Sequence, residues 1–340
     1  MVFVLGIETS CDETAGSIIK GVTSDMAGGE KILSNVVSSS VEFHERFGGV
    51  VPEIASRFHV QYINHVVGKA LDDANVTLDD VNLIAVTNGP GLVGALLIGI
   101  SFAKALSLTR DIPLIGVNHV EAHIYGCLME NPSLTPPFIG LVVSGGHTSL
   151  FLVEKRVEFK LIGSTLDDAA GEAFDKAAKI LGLGYPGGPI IEKRAREVDH
   201  KAIDFPRSHI MGGGLDFSFS GLKTAVLYYC KKAGPLSSSL INDICASFQE
   251  AIIDVLVRNS ISACRENGLR DIVLGGGVSA NLRLREKLKI ASGKAGMNVY
   301  FPSIPLCLDN AAMVAGLGYE KYMSGEVSDL NLTAQTDLAV

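Results

Sequence analysis

The fold is decided by the stretch Phe138-Ile139-Gly140-Leu141-Val142-Val143-Ser144-Gly145-Gly146-His147-Thr148. Its apolar part predicts a short buried strand, and the Ser-Gly-Gly-His turn leads into a second apolar run that ends at residue 155. Residues 3–20 have the same length and the same order of parts, with Glu8-Thr9-Ser10-Cys11-Asp12-Glu13-Thr14 in the place of the turn. The two stretches share few letters, so we interpret them as a repeat of shape that opens two related halves.

Short apolar strands alternate with longer helical segments along the rest of the chain, which predicts an α/β fold. Strands are predicted over residues 31–37, 83–86, 113–117 and 272–274, and helices over residues 54–73 and 91–108. A chain of 340 residues is long for a single core, so we expect two domains. We place them at residues 1–132, completed by a helix at 310–325, and at residues 133–309.

The composition indicates an ordinary globular protein of a reducing compartment. Hydrophobic residues make up 47% of the chain, and the six cysteines include no CxxC pair, so neither a disulfide framework nor a thiolate zinc site is indicated. The N-terminus shows no basic region or cleavage site of a signal peptide, and Lys104 interrupts the longest apolar run. We therefore expect a cytoplasmic protein that does not span a membrane.

The net charge of −8 excludes a protein whose whole surface binds nucleic acid, but a local basic patch would be enough to bind RNA. Basic residues cluster at positions 193–196, 231–232 and 283–289. Each of these runs is more typical of a solvated helix face than of a binding surface. Charge alone therefore does not decide whether the chain binds RNA.

A histidine pair occurs in His119-Val120-Glu121-Ala122-His123. Residues four apart lie on one helix face with Cβ atoms about 5–6 Å apart, so both imidazoles can bind one cation. Glu121 is two positions from each histidine, which differs from the HExxH arrangement of metallopeptidases. Asp309 is the candidate third ligand, or alternatively the N-cap of the helix that follows it. Two histidines and one carboxylate suit Zn2+ or Fe2+ better than Mg2+.

Glycine-rich turns at strand ends are typical of phosphate and nucleotide sites, because no Cβ blocks the approach to backbone N–H groups. Gly145 and Gly146 form one such turn, and Gly275-Gly276-Gly277 forms another, with Asn281 close behind it. The second turn would suit a purine lying on glycine backbone, with Asn281 hydrogen-bonding nearby. A Gly-Gly turn alone is a weak signal, since most of them only close hairpins.

Two acidic residues flank a further glycine pair. Asp175 and Glu192 lie on either side of Gly187-Gly188, and their carboxylates could accept hydrogen bonds from ribose hydroxyls. Surface acids without a ligand are the more common case. Both interpretations stay open on the sequence alone.

Taken in order, these motifs closely resemble those of one family over nearly the whole chain. The set comprises Gly6-Ile7-Glu8-Thr9-Ser10-Cys11-Asp12-Glu13-Thr14, His119-x-x-x-His123, Ser144-Gly145-Gly146-His147-Thr148, Asp175, Gly187-Gly188, Gly276-Gly277-Val278-Ser279-Ala280-Asn281 and Asp309-Asn310. It resembles the TsaD family, the bacterial-type tRNA N6-adenosine threonylcarbamoyltransferases of the actin/Hsp70/sugar-kinase-like superfamily. Asn118 and Leu308 stand where many members have histidine and threonine, and we expect these departures to affect only the surroundings of the metal ligands.

The resemblance implies two actin-like (ribonuclease H-like, duplicated) domains with a nucleotide cleft between them. It implies transfer of the threonylcarbamoyl group from threonylcarbamoyl-adenylate to N6 of adenosine 37 of ANN-decoding tRNAs, with release of AMP. One divalent metal, Fe2+ or Zn2+ with Mg2+ as a further candidate, would be bound by His119, His123 and Asp309. The adenylate, or ATP or AMP, would be bound by Val142, Val143, Ser144, Gly145, Gly146, Asp175, Gly188, Glu192 and Asn281.

The resemblance also implies further roles and partners. For the residues themselves, Asp12 or Glu13 could take the proton or order water, and the sequence does not choose between them. Ser10 and His147 are candidate phosphate contacts. The expected partners are tRNA, a paralogue that lacks the metal site and forms a heterodimer, a small ATPase subunit and the threonylcarbamoyl-adenylate synthase.

Three alternatives remain at this stage. The histidine pair permits a metallopeptidase, although no glutamate base stands beside it. The glycine turns permit a sugar kinase or ATPase of the same superfamily. The chain could also be a scaffold that binds a nucleotide and a partner without turning anything over.

Overall fold

The structure is a computed structural model that describes residues 2–21, 30–208 and 214–336. Its strands are β1 (Val2–Glu8), β2 (Glu13–Gly21), β3 (Lys31–Ser39), β4 (Leu83–Gly89), β5 (Leu114–Asn118), β6 (Phe138–Val143), β7 (Thr148–Lys155), β8 (Glu158–Ser164), β9 (Asp271–Gly275) and β10 (Asn298–Tyr300). Its helices are α1 (Val41–Glu45), α2 (Pro52–Ala74), α3 (Val93–Arg110), α4 (His119–Glu130), α5 (Ala170–Ile180), α6 (Gly187–Ala195), α7 (Ser220–Ala233), α8 (Ser238–Glu266), α9 (Leu282–Lys294), α10 (Ile304–Cys307) and α11 (Ala311–Met323).

The described residues form two compact units, each with one five-stranded sheet. Unit 1 comprises Met1–Pro136, Lys155–Glu158 and Pro302–Val340, and unit 2 comprises Pro137–Glu154 and Phe159–Phe301. The domain limits expected from the sequence, 1–132 with 310–325 and 133–309, stay a prediction, because a compact set of contacts is not in itself a unit that folds alone.

The two sheets share one topology. In unit 1 the strand order is β3-β2-β1-β4-β5, with β1 antiparallel to β2 and parallel to β4. In unit 2 the order is β10-β9-β6-β7-β8, with β6 antiparallel to β7 and parallel to β9. The hairpins β1-β2 and β6-β7 therefore occupy equivalent places, and the prediction of a repeated α/β shape is confirmed.

Each sheet is buried by helices. In unit 1, Leu5 and Ile7 of β1 belong to an apolar core with Ile63 of α2 and Ile100 of α3. In unit 2, apolar residues of β6 and β9 pack with α5, α8 and the segment before α7. Phe217 and Phe219, in the aromatic loop ahead of α7, are 0% and 1% exposed, so this loop contributes to the core.

Helix α11 packs so closely on the unit 1 sheet that two of the contact positions have room only for glycine. A Cβ on Gly6 of β1 would lie 2.2 Å from the carbonyl oxygen of Ala311, and a Cβ on Gly318 would lie 2.4 Å from Cβ of Ala85. Two glycines on facing surfaces therefore set the depth of the helix. This packing fixes the start of α11, and with it Asp309, near the carboxyl end of β1.

Helix α3 is long and apolar enough to cross a membrane by length and composition alone, and 28% of it is buried. One such helix is weak evidence, since core helices meet the same criteria. Its buried residues recur at helical spacing as Ala95, Leu96, Gly99, Ile100 and Ala103. That pattern is typical of a helix packed on a sheet.

Candidate functional site

Helix α4 begins directly after β5, which places both histidines at the edge of the unit 1 sheet. The side-chain oxygen of Asn118 caps the helix by accepting hydrogen bonds from the backbone N–H groups of Val120 (2.9 Å) and Glu121 (3.3 Å). The rings of His119 and His123 are neighbours, with centroids 4.7 Å apart. The two imidazoles are therefore paired as the spacing predicts, and Asn118 has a capping role.

Asp309 lies beside the two histidines. Its Oδ1 is 3.1 Å from Nε2 of His123 and 3.6 Å from Nε2 of His119. The alternative that Asp309 caps α11 is wrong, because the cap is Asn310, whose side-chain oxygen accepts from the backbone N–H of Met313 at 3.0 Å. The neighbouring Leu308 is 53% exposed.

The three side chains fit a divalent metal. Their ligand atoms lie within 4.8 Å of one another, and two atoms bound about 2.1 Å from one metal lie about 3.4 Å apart at a tetrahedral angle. His123 is 1% exposed, and its ring nitrogens make no well-oriented hydrogen bond within the described ranges, although the Asp309 carboxylate lies 3.1 Å from Nε2. A buried imidazole without a hydrogen bond is costly, so a metal held between Nε2 and Asp309 would satisfy both groups.

Glu8 orients the first histidine, and sequence reasoning did not assign it a role. It is fully buried, and its Oε2 lies 2.9 Å from Nδ1 of His119 and accepts from the Thr87 hydroxyl at 2.6 Å. Its Oε1 accepts from the backbone N–H of Ser10. A carboxylate on Nδ1 keeps the proton there and turns Nε2 toward Asp309, as outer partners of metal-binding histidines do. The only signal in the sequence was the position of Glu8 at the end of a buried strand.

The electrostatics around His119 favour positive charge. Burial opposes the imidazolium, but the carboxylates of Glu8 and Asp309 outweigh it and raise the pKa of His119 to about 9. Burial likewise opposes ionisation of Glu8, and His119 holds the pKa of that carboxyl below its ordinary value. The carboxylates that attract a proton here would equally attract a cation.

Three further residues predicted to belong to the site, Ser10, Asp12 and Glu13, lie in the turn after β1 or directly behind it. The Ser10 hydroxyl oxygen lies 3.2 Å from Nδ1 of His119, so Ser10 contacts a candidate metal ligand. Burial and the nearby carboxylates of Asp12 and Asp309 raise the pKa of Glu13 well above its ordinary value. Asp12 and Glu13 therefore belong to the same electrostatic environment as Asp309. Their catalytic role, and a phosphate contact by Ser10, stay predictions.

In unit 2, the Ser144–His147 turn follows β6. Val142 and Val143 are fully buried in that strand, and the backbone N–H of Ser144 donates to the carbonyl oxygen of His147 at 2.8 Å. The N–H of His147 donates back to the Ser144 hydroxyl at 3.1 Å. Gly145 and Gly146 are exposed, and a Cβ on either would meet nothing within 4 Å.

The second glycine turn meets the first at the carboxyl ends of the adjacent parallel strands β6 and β9. Gly276 has a φ of +86°, and a Cβ there would lie 2.4 Å from the carbonyl oxygen of Val143. A Cβ on Gly171, in the first turn of α5, would lie 2.5 Å from the carbonyl oxygen of Ser144. Glycines thus allow the turn after β6, the turn after β9 and the start of α5 to pack closely together. They meet at the carboxyl ends of the strands, where open α/β sheets bind their ligands.

The two acids predicted to bind ribose each contact a helix N-terminus. Asp175 accepts from the backbone N–H of Gly187 at 2.7 Å, at the start of α6. Glu192 accepts from the backbone N–H of Leu282 at 2.9 Å, at the start of α9. These bonds are favoured by the helix dipole. The ribose contact stays a prediction, as does binding at Gly188, whose added Cβ would also meet nothing within 4 Å.

Asn281 caps α9 and is 6% exposed. Its side-chain oxygen accepts from the backbone N–H of Leu284 at 3.0 Å, and its amide nitrogen donates to Gln249 at 2.8 Å. Among the described parts of the chain, these two bonds use one amide hydrogen and one oxygen lone pair of Asn281 and leave one of each for other partners. A contact with the adenylate stays a prediction.

The basic run 283–289 is occupied by internal contacts. Arg283 forms an ion pair with Glu250 at 2.9 Å, and Lys287 contacts both Glu250 and Asp254. Arg285 donates to the carbonyl oxygen of Ser279 at 2.7 Å. These contacts link α9 to α8 and to the glycine turn, so three of the four basic side chains of the run make contacts within unit 2.

The fold and the donor set define a class: a duplicated α/β protein of the actin-like kind whose first unit contains three side chains that could hold a metal. Solved structures of this fold are similar to the chain, including full-length HypF (TM-score 0.63, 16% identity, covering 96% of this chain and 47% of HypF). Component A of (R)-2-hydroxyglutaryl-CoA dehydratase from Acidaminococcus fermentans gives a TM-score of 0.55 at 17% identity, covering 96% of this chain and all of that one. These similarities confirm the predicted fold class.

The family model for TsaD, tRNA N6-adenosine threonylcarbamoyltransferase, matches residues 31–316. The tRNA N6-adenosine threonylcarbamoyltransferase of Clostridium beijerinckii is 49% identical over 337 residues, covering 98% of this chain and 97% of the relative. That of Clostridioides difficile is 46% identical over 340 residues, covering 100% and 98%. The chain belongs to the TsaD family. It is a tRNA-modifying transferase of the biosynthesis of N6-threonylcarbamoyladenosine (t6A). The predicted resemblance and activity are confirmed.

Proposed function

We propose that the chain transfers a threonylcarbamoyl group from threonylcarbamoyl-adenylate to N6 of adenosine 37 in ANN-decoding tRNAs. The N6 amine attacks the carbamoyl carbonyl carbon, a C–N bond forms, and the bond from that carbon to the phosphate oxygen breaks. AMP leaves with the electron pair, and the amine loses one proton. One observation carries the proposal. The glycine turns that follow β6 and β9 meet and leave their backbone open, in a chain that also contains three side chains able to hold a metal.

The adenylate would bind at the carboxyl ends of β6 and β9. The open backbone at Gly145, Gly146 and Gly188 lets phosphate or a nucleoside approach without meeting a side chain. The proposed binding set is Val142, Val143, Ser144, Gly145, Gly146, Asp175, Gly188, Glu192 and Asn281, with His147 as a further phosphate contact. The hydrogen bonds that Asp175, Glu192 and Asn281 accept at helix N-termini support their role, since these bonds hold the side chains at fixed places.

The metal would be bound by His119, His123 and Asp309, with Fe2+ or Zn2+ favoured by the two nitrogen donors and Mg2+ as a further candidate. When bound, such a metal supplies a Lewis acid. Glu8 holds the proton on Nδ1 of His119 and so keeps Nε2 available as a ligand. An exocyclic adenine amine is a weak nucleophile, so positioning of the two substrates should contribute most of the rate.

The proton would pass to Asp12 or Glu13. Burial and the neighbouring carboxylates raise the pKa of Glu13 well above its ordinary value, and a raised pKa suits a carboxylate that accepts a proton near neutral pH. Glu13 is therefore a candidate base, and Asp12, its neighbour in the chain, is the alternative. Ser10, which contacts His119, is in position to order the groups around that ring.

We also propose the partners and the compartment implied by the family. The chain would act in the cytoplasm on tRNA, as a heterodimer with a paralogue that lacks the metal site. A small ATPase subunit and the threonylcarbamoyl-adenylate synthase would work with it. The charge of −8 and the internal pairing of the 283–289 run support sharing of the tRNA contact with such partners.

The first test is mass spectrometry of tRNA nucleosides after incubation of the chain with threonylcarbamoyl-adenylate and an ANN-decoding tRNA, with and without the partner proteins. We expect one threonylcarbamoyl group on adenosine and an equal amount of AMP. The matched control is the same tRNA with guanosine at position 37, which should stay unmodified. Nucleotide binding without modification, or cleavage of peptides in its place, would contradict the proposal.

A second prediction tests the adenylate site. In Gly146→Ala the new methyl group meets no protein atom within 4 Å, so stability should not change. Binding of AMP, measured by calorimetry, should weaken about tenfold if the methyl group fills space that the ligand needs. Gly293→Ala, exposed in α9 of the same unit and equally free of contacts, is the control. Unchanged AMP affinity in Gly146→Ala would place the nucleotide elsewhere.

A further inference from the structure

A buried histidine of α2 supports the turn that follows β1. His59 is fully buried, its Nε2 lies 3.0 Å from the carbonyl oxygen of Cys11, and its Nδ1 lies 2.8 Å from the Thr14 hydroxyl oxygen. A carbonyl oxygen only accepts hydrogen bonds, so Nε2 carries the proton and donates to Cys11. Burial lowers the pKa of His59, which favours the neutral ring, and Nδ1 then accepts from Thr14. One ring thus links the turn, at Cys11, to the start of β2, at Thr14.

A second buried histidine, His44 of α1, contacts Ser40, which in turn hydrogen-bonds the carbonyl oxygen of Asp12. The backbone N–H and the hydroxyl of Ser40 both donate to the carbonyl oxygen of Asp12, at 3.0 and 2.8 Å. Nε2 of His44 lies 3.0 Å from the Ser40 hydroxyl oxygen, and the backbone N–H of Val51 donates to Nδ1 at 3.2 Å. Because Val51 occupies Nδ1 and Ser40 gives its proton to Asp12, Nε2 of His44 must donate to Ser40.

Both imidazoles therefore have the Nε2–H tautomer, and both serve the backbone of the same short turn. His44 and His59 are fully buried, and an apolar residue would fill either space without the cost of burying a polar ring. The carbonyls that they hold belong to Cys11 and Asp12. The side chains of this turn include Asp12 and Glu13, the carboxylates proposed to take the proton.

We propose that His44 and His59 are positioning residues of the transfer reaction, which hold the Cys11 and Asp12 carbonyls and so fix where Asp12 and Glu13 present their carboxylates. This inference rests on the proposed role of those carboxylates. The described contacts of the two rings are with the turn and its supporting backbone, so they act through the turn. Their loss should appear in kcat, since they contribute nothing directly to substrate binding.

The test compares glutamine and leucine at each histidine by steady-state tRNA modification. Glutamine can place an N–H near the position of Nε2–H, whereas leucine cannot donate. We expect His59→Leu and His44→Leu to lower kcat by about 100-fold, the cost of misplacing a reacting group by about 1 Å. The glutamine variants should regain most of the activity. KM and the amount of bound metal should stay at the wild-type values in all four variants.

The matched control is His65, which lies exposed on the same helix as His59. His65→Leu and His65→Gln should both have wild-type kcat. If the leucine variants do not fold, Thr14→Val provides the test, because it removes the hydroxyl that donates to His59 and keeps the shape of the side chain. Wild-type kcat in folded leucine variants, or in a folded Thr14→Val when the leucine variants do not fold, would overturn the proposal.

A double-mutant cycle separates this inference from the function on which it rests. If the histidines act through the turn, His59→Leu should lower kcat no further in an Asp12→Asn/Glu13→Gln background. Full activity of the carboxylate variant would show that the proposed base is wrong, and the positioning role would be wrong with it. Loss in the carboxylate variant together with wild-type kcat in His59→Leu would overturn the positioning role alone.

Discussion

Replacing both His119 and His123 with alanine is expected to remove the bound metal and to lower tRNA modification about a thousandfold, the scale of several kcal/mol of transition-state stabilisation. The Nε2 atoms of both histidines lie beside Oδ1 of Asp309. The double variant therefore keeps only Asp309 of the three candidate ligands. The measurements are metal content by plasma emission spectrometry and threonylcarbamoyladenosine by mass spectrometry. Full transfer activity in a metal-free double variant would refute a metal-dependent mechanism.

The single variants sharpen this test. His123 makes no well-oriented hydrogen bond with the described residues, and its Nε2 lies 3.1 Å from the Asp309 carboxylate, so His123→Ala removes a candidate ligand together with that one ion-pair contact. Its loss of metal should therefore be accompanied by little loss of secondary structure. His119→Ala also removes the partner of the buried Glu8, and we expect it to be less stable than His123→Ala. His65→Ala, exposed on α2, is the control for a general effect of losing a histidine.

Local patterns allowed much of the fold to be predicted. The shape repeat at 3–20 and 138–155 appears as the equivalent hairpins β1-β2 and β6-β7, because a buried strand, a polar turn and a returning strand lie next to each other in the chain. The histidine pair was predictable for the same reason, since four-residue spacing on a helix fixes its own geometry. Features within one element or one hairpin are visible in sequence.

Roles that depend on distant segments were not visible. Glu8 meets Thr87 and His119, which are 79 and 111 residues away, and only the packing of β1 against β4 and the placement of α4 bring them together. Asp309 and Asn310 are adjacent, and spacing alone could not decide which one caps α11. Asp175 and Glu192 are further cases, since their contacts with α6 and α9 are tertiary contacts that no local sequence pattern predicts.

Changing Glu8 to glutamine is expected to weaken metal binding by about 10- to 100-fold, the usual cost of losing an outer partner of a metal-binding histidine. Oε1 of Glu8 accepts from the Ser10 N–H, while Oε2 accepts from Thr87 and lies 2.9 Å from Nδ1 of His119. Both oxygens therefore have to accept. Glutamine has one accepting and one donating end, so every orientation of its amide sets a donor against a donor.

The consequence differs from that of removing a ligand. In Glu8→Gln all three candidate metal ligands remain, but the proton of His119 is no longer held on Nδ1, so part of the population presents Nε2–H to Asp309 and cannot bind a metal through it. Titration with Zn2+ should show a raised dissociation constant with unchanged stoichiometry. Thr87→Val, which removes one donor and leaves both oxygens accepting, should have a smaller effect. Equal zinc affinity in Glu8→Gln and the wild type would mean that His119 does not depend on Glu8, and that the carboxylate is retained for the stability of the buried pair instead.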